Sequence, residues 1–191
     1  MYSVPNGGFL TAPIDRRSVG MWIKPDDLNG QETLYEEGNL ARGIGMRLNN
    51  NLLEVGVINL YSFTPINFDL FVLQAPFPND GGWHHAAYTY DLGEFKLYID
   101  GVAVDSVSTG IGSFALPSDS DGGFGGNFGT SVFTAIDYTI PEILAVGFNA
   151  KEDFYEGRMD FTTYHNIALS EDQLSDLIAV SYTHLTLPTK A

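Results

Sequence analysis

At 191 residues the chain has the length of one domain, and the absence of cysteine excludes thiol catalysis, disulfide staples, Cys-ligated zinc and iron–sulfur clusters. Nine Lys plus Arg against 24 Asp plus Glu give a formal charge of −15, which argues against nucleic acid or an anionic membrane as partner, since both need a basic face. Aromatic content of 13%, 21 glycines and only 17% charged residues describe an all-β globular domain, and no apolar run is long enough to insert into a membrane.

Residues 1–6 lack the basic and apolar regions of a signal peptide. Residues 18–23 (SVGMWI) form a nearly continuous apolar run that predicts a strand, closed at Pro25, which cannot donate to a ladder. Residues 33–35 lead into a turn at 36–39. Ile44, Met46 and Leu48 alternate with Gly43, Gly45 and Arg47; after Asn49-Asn50-Asn51, Leu53, Val55 and Val57 alternate back, which predicts a hairpin. Residues 68–73 are a further strand, stopped by Pro76 and Pro78. A turn at 79–82 precedes the strand 83–90 (WHHAAYTY). Residues 95–99 and 102–104 flank Asp100-Gly101, the pair that a type I′ hairpin turn requires. From 109 to 129 the composition shifts to Gly, Ser and Asp and predicts a long loop, with an added strand at 131–140; residues 143–146 and 158–164 complete the strands.

One short helix is predicted. Ser170-Glu171-Asp172-Gln173 is a capping box, and Leu174, Leu177 and Ile178 follow on one face. The peptide from Val180 to Thr189 resembles the translation of a sequencing-library transposon adapter, so residues 180–191 are expected to be a non-native tail and residues 1–179 the domain, from a gene of fragmentary environmental origin. A genuine C-terminal strand is the alternative, and synonymous codons departing from the adapter would overturn the adapter reading.

Ten to twelve short strands with one terminal helix indicate a β-sandwich. The ordered pieces Ser18 to Pro25, Gly45-Met46-Arg47-Leu48, Asp80 to Asp91, Lys96 to Gly101, Leu144-Ala145-Val146-Gly147, Phe154 to Asp160 and Ala168-Leu169-Ser170 resemble laminin G-like modules of the concanavalin A-like lectin/glucanase superfamily, over residues 18–179. The resemblance implies a jelly-roll sandwich of two antiparallel sheets. Two departures stand out: the usual opening strand is poorly matched by residues 7–13, so an N-terminal edge strand is expected to be truncated, and residues 110–140 are longer and richer in glycine than usual.

That superfamily contains glycoside hydrolases, which need two carboxyls about 5–5.5 Å apart in the retaining case. The laminarinase type carries Glu-x-Asp-x-Glu along one strand, and no such spacing occurs here; the densest acidic stretch, Glu152-Asp153 with Glu156 and Asp160, does not match. No catalytic residue is therefore assigned. His84 and His85 are neighbours on a strand and point to opposite faces, so they cannot share one ligand and are read as structural. His165 is read as a surface or interface residue. Trp22 and Trp83 lie in motifs that the resemblance places in the sandwich core. Tyr61 and Phe63 alternate with Leu60 and Ser62 beside a turn and are the candidate exposed platform for a sugar, although plain packing is the ordinary role of such residues; Phe124 and Phe128, in the glycine-rich segment, are a second candidate. Some relatives bind calcium at the rim through hard oxygen donors, and Asn79 with Asp80 and Asp119 with Asp121 are the candidate ligands, without the spacing of an EF-hand; most such carboxylates are ordinary solvated residues. The glycines around Phe124 lack the frame of a phosphate loop.

The reading is a noncatalytic recognition module of a larger extracellular or cell-surface protein, binding carbohydrate or mediating adhesion. Its expected partners are a glycan or a cell-surface protein, alongside other domains of the parent chain. A structural or protein-interaction spacer without a sugar site is the alternative, and a laminarinase-type hydrolase the third. The functional step rests on fold-level analogy.

Overall fold

The computed structural model describes residues 2–3, 14–38, 41–63, 66–113, 121–126 and 154–186. Their strands are β1 (Tyr2–Ser3), β2 (Arg16–Pro25), β3 (Gln31–Gly38), β4 (Arg42–Asn49), β5 (Leu52–Phe63), β6 (Ile66–Pro76), β7 (His84–Asp91), β8 (Glu94–Ile99), β9 (Val102–Ser108), β10 (Asp121–Phe124) and β11 (Gly157–His165), followed by helix α1 (Glu171–Thr186). They form a six-stranded sheet in the order β1-β10-β3-β4-β5-β6 and a five-stranded sheet in the order β11-β2-β7-β8-β9, with every pair antiparallel. This is the all-β sandwich that the alternation predicts.

Period-2 alternation decides what lies between the sheets. Val19, Met21 and Ile23 of β2 meet Ala86, Tyr88 and Tyr90 of β7 and Phe95, Leu97 and Ile99 of β8 on one inner face; Ile44, Met46 and Leu48 of β4 meet Leu53, Val55 and Val57 of β5 on the other. Two-residue turns join three of the hairpins, and in each both residues have positive φ: Asn50 and Asn51 at 48° and 69°, Leu92 and Gly93 at 49° and 103°, Asp100 and Gly101 at 50° and 80°. Both Asn and Gly tolerate this region; Leu92 adopts it at a cost.

Parity sends the even-numbered residues of β2 to the outer face of the five-stranded sheet. Trp22 is therefore absent from the inter-sheet core; it is buried beneath α1, edge-on to His85 at a centroid distance of 5.6 Å, and its indole N–H donates to Ser181 Oγ at 2.7 Å. Leu174 packs on Ala87 and Tyr98 of the same face. Trp83 is half-buried at the start of β7.

Several elements differ from the sequence expectation: β3 continues through Glu36–Gly38, expected as part of a turn, and a two-residue strand forms at Tyr2–Ser3. Strand β10 forms inside the segment read as loop, pairing Gly122 with Glu37 and Gly123 with Glu36. Glycine permits this approach: a Cβ on Gly122 would stand 3.0 Å from the Glu36 carbonyl oxygen and 3.1 Å from Glu37 Cβ. Helix α1 is longer than the short helix expected. It begins at the capping box, where Gln173 N–H donates to Ser170 Oγ and Ser170 N–H to Gln173 Oε1, and it runs through Thr186. Nothing between Val180 and Pro188 breaks a helix, and Ser181 continues the stripe of Leu174, Leu177 and Ile178, so a helix forms over these residues whatever their origin. The strands expected at 131–140 and 143–146, and residues 7–13, lie outside the described residues.

Candidate functional site

The β5–β6 ribbon outruns its neighbour. The β4–β5 ladder ends at Arg42–Asn59, with a last bond from Leu60 N–H to the Ala41 carbonyl, whereas β5 and β6 remain paired as far as Phe63–Ile66. Within that overhang the register shifts: Leu60 pairs with Phe68 and Ser62 with Asn67, leaving Tyr61 as the extra residue of a β-bulge. A bulge bends its strand and re-aims the side chain it carries. Tyr61 is 53% exposed, and its hydroxyl donates to Asp69 Oδ2 at 2.5 Å and is also bonded to the Asn59 side chain. The bond to Asp69 holds the phenolic proton and raises the Tyr61 pKa. The ring is thus fixed by its polar end and open on its flat part, at a rim of the sandwich.

The same end of the sandwich carries three arginines, all engaged. Arg16 Nε lies 2.8 Å from Asp91 Oδ1; Arg17 Nη1 lies 2.6 Å from Glu37 Oε2 between the sheets; Arg42 has its own partner within the chain. The Arg17–Glu37 pair is fully enclosed, with the guanidinium 4.5 Å from the Tyr164 ring centroid. Burial raises the Glu37 pKa even against the adjacent cation. Nearby, Tyr90 donates to the Ile111 carbonyl, tying β7 to the segment after β9.

The opposite end holds His84. Its Nδ1 lies 2.7 Å from Asp100 Oδ2 and its Nε2 2.9 Å from Asp80 Oδ1, while Asp100 Oδ1 accepts the His85 backbone N–H. Burial works against the imidazolium, but the bonds to Asp100 and Asp80 outweigh it and raise the His84 pKa. The hydrogen bond to His84 in turn lowers that of Asp80. His85, on the other face, is fully buried, and neither ring nitrogen has a hydrogen-bond partner.

The outer face of the six-stranded sheet presents Arg47 and Glu54, paired at 2.8 Å, with Asn49 Nδ2 donating to the second Glu54 oxygen at 3.2 Å. Both partners are buried, and Glu36 beside them is buried and engaged as well. No carboxylate on this face is unpaired among the described residues.

The sequence-derived candidates separate in space. Tyr61 stands at the rim. Phe124 turns inward, its ring 4.8 Å from that of Tyr35, so it is part of the packing. Asn79 and Asp80 sit at the opposite end from Tyr61. There Asp80 Oδ1 lies 2.9 Å from His84 Nε2 and accepts the Gly82 N–H at 2.7 Å. Among the described residues no three His, Asp or Glu side chains gather into a metal-holding group. Phe128, Asp119 and the side chains of Phe63 and Asp121 lie outside the described residues. Sequence reasoning missed Asp69, which reaches Tyr61 through the register of β5 and β6, and Asn59, two residues before Tyr61 on β5.

Comparison with known proteins supplies three findings. A laminin G family model, described as the concanavalin A-like lectin/glucanases superfamily, matches residues 3–175. No curated protein matches the chain in sequence. Among solved structures, the chain is similar to the CBM40 of the Ruminococcus gnavus IT-sialidase bound to α2,3-sialyllactose, at 17% identity and TM-score 0.61 over 91% of this chain and 85% of that one. It is similar to the binding domain of botulinum neurotoxin serotype G at 13% identity and TM-score 0.60, covering 95% of this chain and 40% of the other. It also resembles domain 4 of AbnA, an extracellular arabinanase of Geobacillus stearothermophilus, in complex with arabinotriose, at 20% identity and TM-score 0.54 over 86% and 66% of the two chains. At these identities the likeness is one of fold.

Proposed function

The chain belongs to the concanavalin A-like lectin/glucanases superfamily, and from that premise we propose that it is a noncatalytic carbohydrate-recognition module, binding at the Tyr61 rim and serving a protein that works outside the cell or on its surface. The observation that carries this reading is the Tyr61 ring, half-exposed on a bulge and immobilised by Asp69. A flat ring already held in place stacks on the C–H face of a sugar without first losing rotamer freedom, and the carboxylate at its margin accepts hydrogen bonds from sugar hydroxyls.

The similar structures support the class, since two of them are complexes with sugars. A noncatalytic role is supported by the outer face of the six-stranded sheet, where Glu54 is bonded to Arg47 and Asn49. A glycosidase needs one carboxyl as proton donor and a second as nucleophile or base; a carboxylate locked onto an arginine serves neither role well. No helix among the described residues is long and apolar enough to cross a membrane.

The test is binding of the purified chain to an oligosaccharide array, alongside Tyr61→Ala. Binding that weakens at least tenfold in the variant is the expected result. Absence of any glycan signal, or binding indifferent to the substitution, overturns the assignment and leaves a spacer or protein-interaction module.

A further inference from the structure

We infer that the Tyr61 rim selects uncharged, hydroxyl-rich sugars and discriminates against acidic ones; this rests on the reading of that rim as a carbohydrate site. The Tyr61 hydroxyl is engaged, donating to Asp69 Oδ2 at 2.5 Å and bonded to the Asn59 side chain, so an incoming molecule meets the ring and not its polar end. The polar group at the margin is the Asp69 carboxylate, which accepts from Tyr61 through Oδ2. An ionised carboxylate only accepts. A ligand at this ring must therefore bring donors, and sugar hydroxyls are such donors.

A carboxylate or sulfate on the ligand would instead meet a like charge, and no cation free of a partner stands at this end among the described residues. Arg16 is neutralised by Asp91 at 2.8 Å, Arg17 is enclosed with Glu37 at 2.6 Å, and Arg42 is engaged within the chain. The described lysines stand on the five-stranded sheet, Lys24 in β2 and Lys96 in β8, where Lys96 faces Glu171 at 3.6 Å. A formal charge of −15 deepens the repulsion of any anion approaching the surface. Like-charge juxtaposition is how an interface suppresses wrong partners, and Asp69 is placed to do so.

The experiment is an array of neutral oligosaccharides printed beside their sialylated and uronic-acid counterparts, with lactose against 3′-sialyllactose as one matched pair, probed with the full chain. The variants are Tyr61→Ala and Asp69→Asn, each confirmed as folded by its melting curve. Expected are signals on neutral glycans, lost in Tyr61→Ala, with acidic counterparts roughly tenfold weaker and that gap narrowed in Asp69→Asn. Tyr61-dependent binding of acidic glycans as strong as of neutral ones overturns this inference while leaving the rim a sugar site. No glycan signal, or binding unchanged in Tyr61→Ala, overturns the rim reading itself and this inference with it.

Discussion

Replacing His85 by leucine tests what holds α1 to the five-stranded sheet in acid. His85 is enclosed beneath the helix beside Trp22, and both ring nitrogens lack partners. Burial drives its pKa from 6.5 down to about 4, with only the Asp100 carboxylate acting in the opposite sense. The unfolded chain therefore takes up a proton below pH 6.5, whereas the folded chain refuses it until about pH 4. Stability from this group is present above pH 6.5 and is lost as the pH falls. Each pH unit in that window costs about 1.4 kcal/mol, so the folded state loses about 3 kcal/mol between pH 7 and pH 4 through His85 alone. Leucine has a similar volume and no proton to bind. Urea denaturation at fixed pH, followed by tryptophan fluorescence because Trp22 lies under the helix, gives the difference between wild type and His85→Leu. That difference should move by about 3 kcal/mol in favour of the variant on going from pH 7 to pH 4. Parallel pH profiles for the two proteins would refute a neutral, enclosed imidazole.

Three further substitutions probe other buried or coupled groups. The Tyr88 hydroxyl is enclosed without a partner, so Tyr88→Phe keeps the ring packing, removes an unsatisfied group and should stabilise by about 1 kcal/mol in equilibrium denaturation; a loss of that size would show a water bonded there. Glu32 has its pKa raised by burial and then by Asp27, Glu156 and Asp26, against the Glu156 backbone N–H that it accepts at 3.1 Å. Glu32→Gln keeps the acceptor and sheds the charge, so it should raise the melting temperature at pH 7, where about 0.5–1 kcal/mol is at stake. The gain should vanish below pH 4.5, where Glu32 is protonated in both folded and unfolded chains; a gain persisting there would contradict the electrostatic cause. His84 has the opposite pH signature to His85, because its pKa is raised: the clamp with Asp100 and Asp80 contributes fully below pH 6.5 and fades as the pH climbs through the raised value. His84→Ala should therefore cost about 0.5–1 kcal/mol at pH 6, less at pH 9, and a cost that grows with pH would be inconsistent with the clamp.

The strands that the sequence made legible are those whose alternation has one dry face. Ile44, Met46 and Leu48, answered by Leu53, Val55 and Val57 around an Asn turn, leave only one register that buries all six. Strand β10 has no such signature. Its Gly122 and Gly123 read as loop because a strand is ordinarily recognised by its side chains, whereas here the absence of a Cβ is what allows β3 to come close. The candidate platform Tyr61 is visible as an aromatic beside a turn, but Asp69, which fixes it, is not. A cross-strand partner is set by register, and the bulge at Tyr61 shifts that register by one residue without leaving a mark in the pattern of polar and apolar positions.

Parity, applied strictly, reaches further than residue type. Arg17 shares the parity of Val19, Met21 and Ile23, so alternation alone points it into the interior, while its charge argues for the surface. Parity prevails because Glu37, of the same parity as Tyr35 on β3, meets it there at 2.6 Å. Breaking such a pair from one side leaves a buried charge uncompensated, which costs more than the pair contributes over an apolar substitute. Trp22 shows the converse. A bulky aromatic inside an apolar run argues for the sandwich core, but its even position places it with Ser18 and Gly20 on the outside of the five-stranded sheet. A tryptophan on that face is buried only if another layer covers it, and the stripe of Leu174, Leu177, Ile178 and Ser181 provides one: the helix follows from the face that Trp22 occupies as much as from its own capping box.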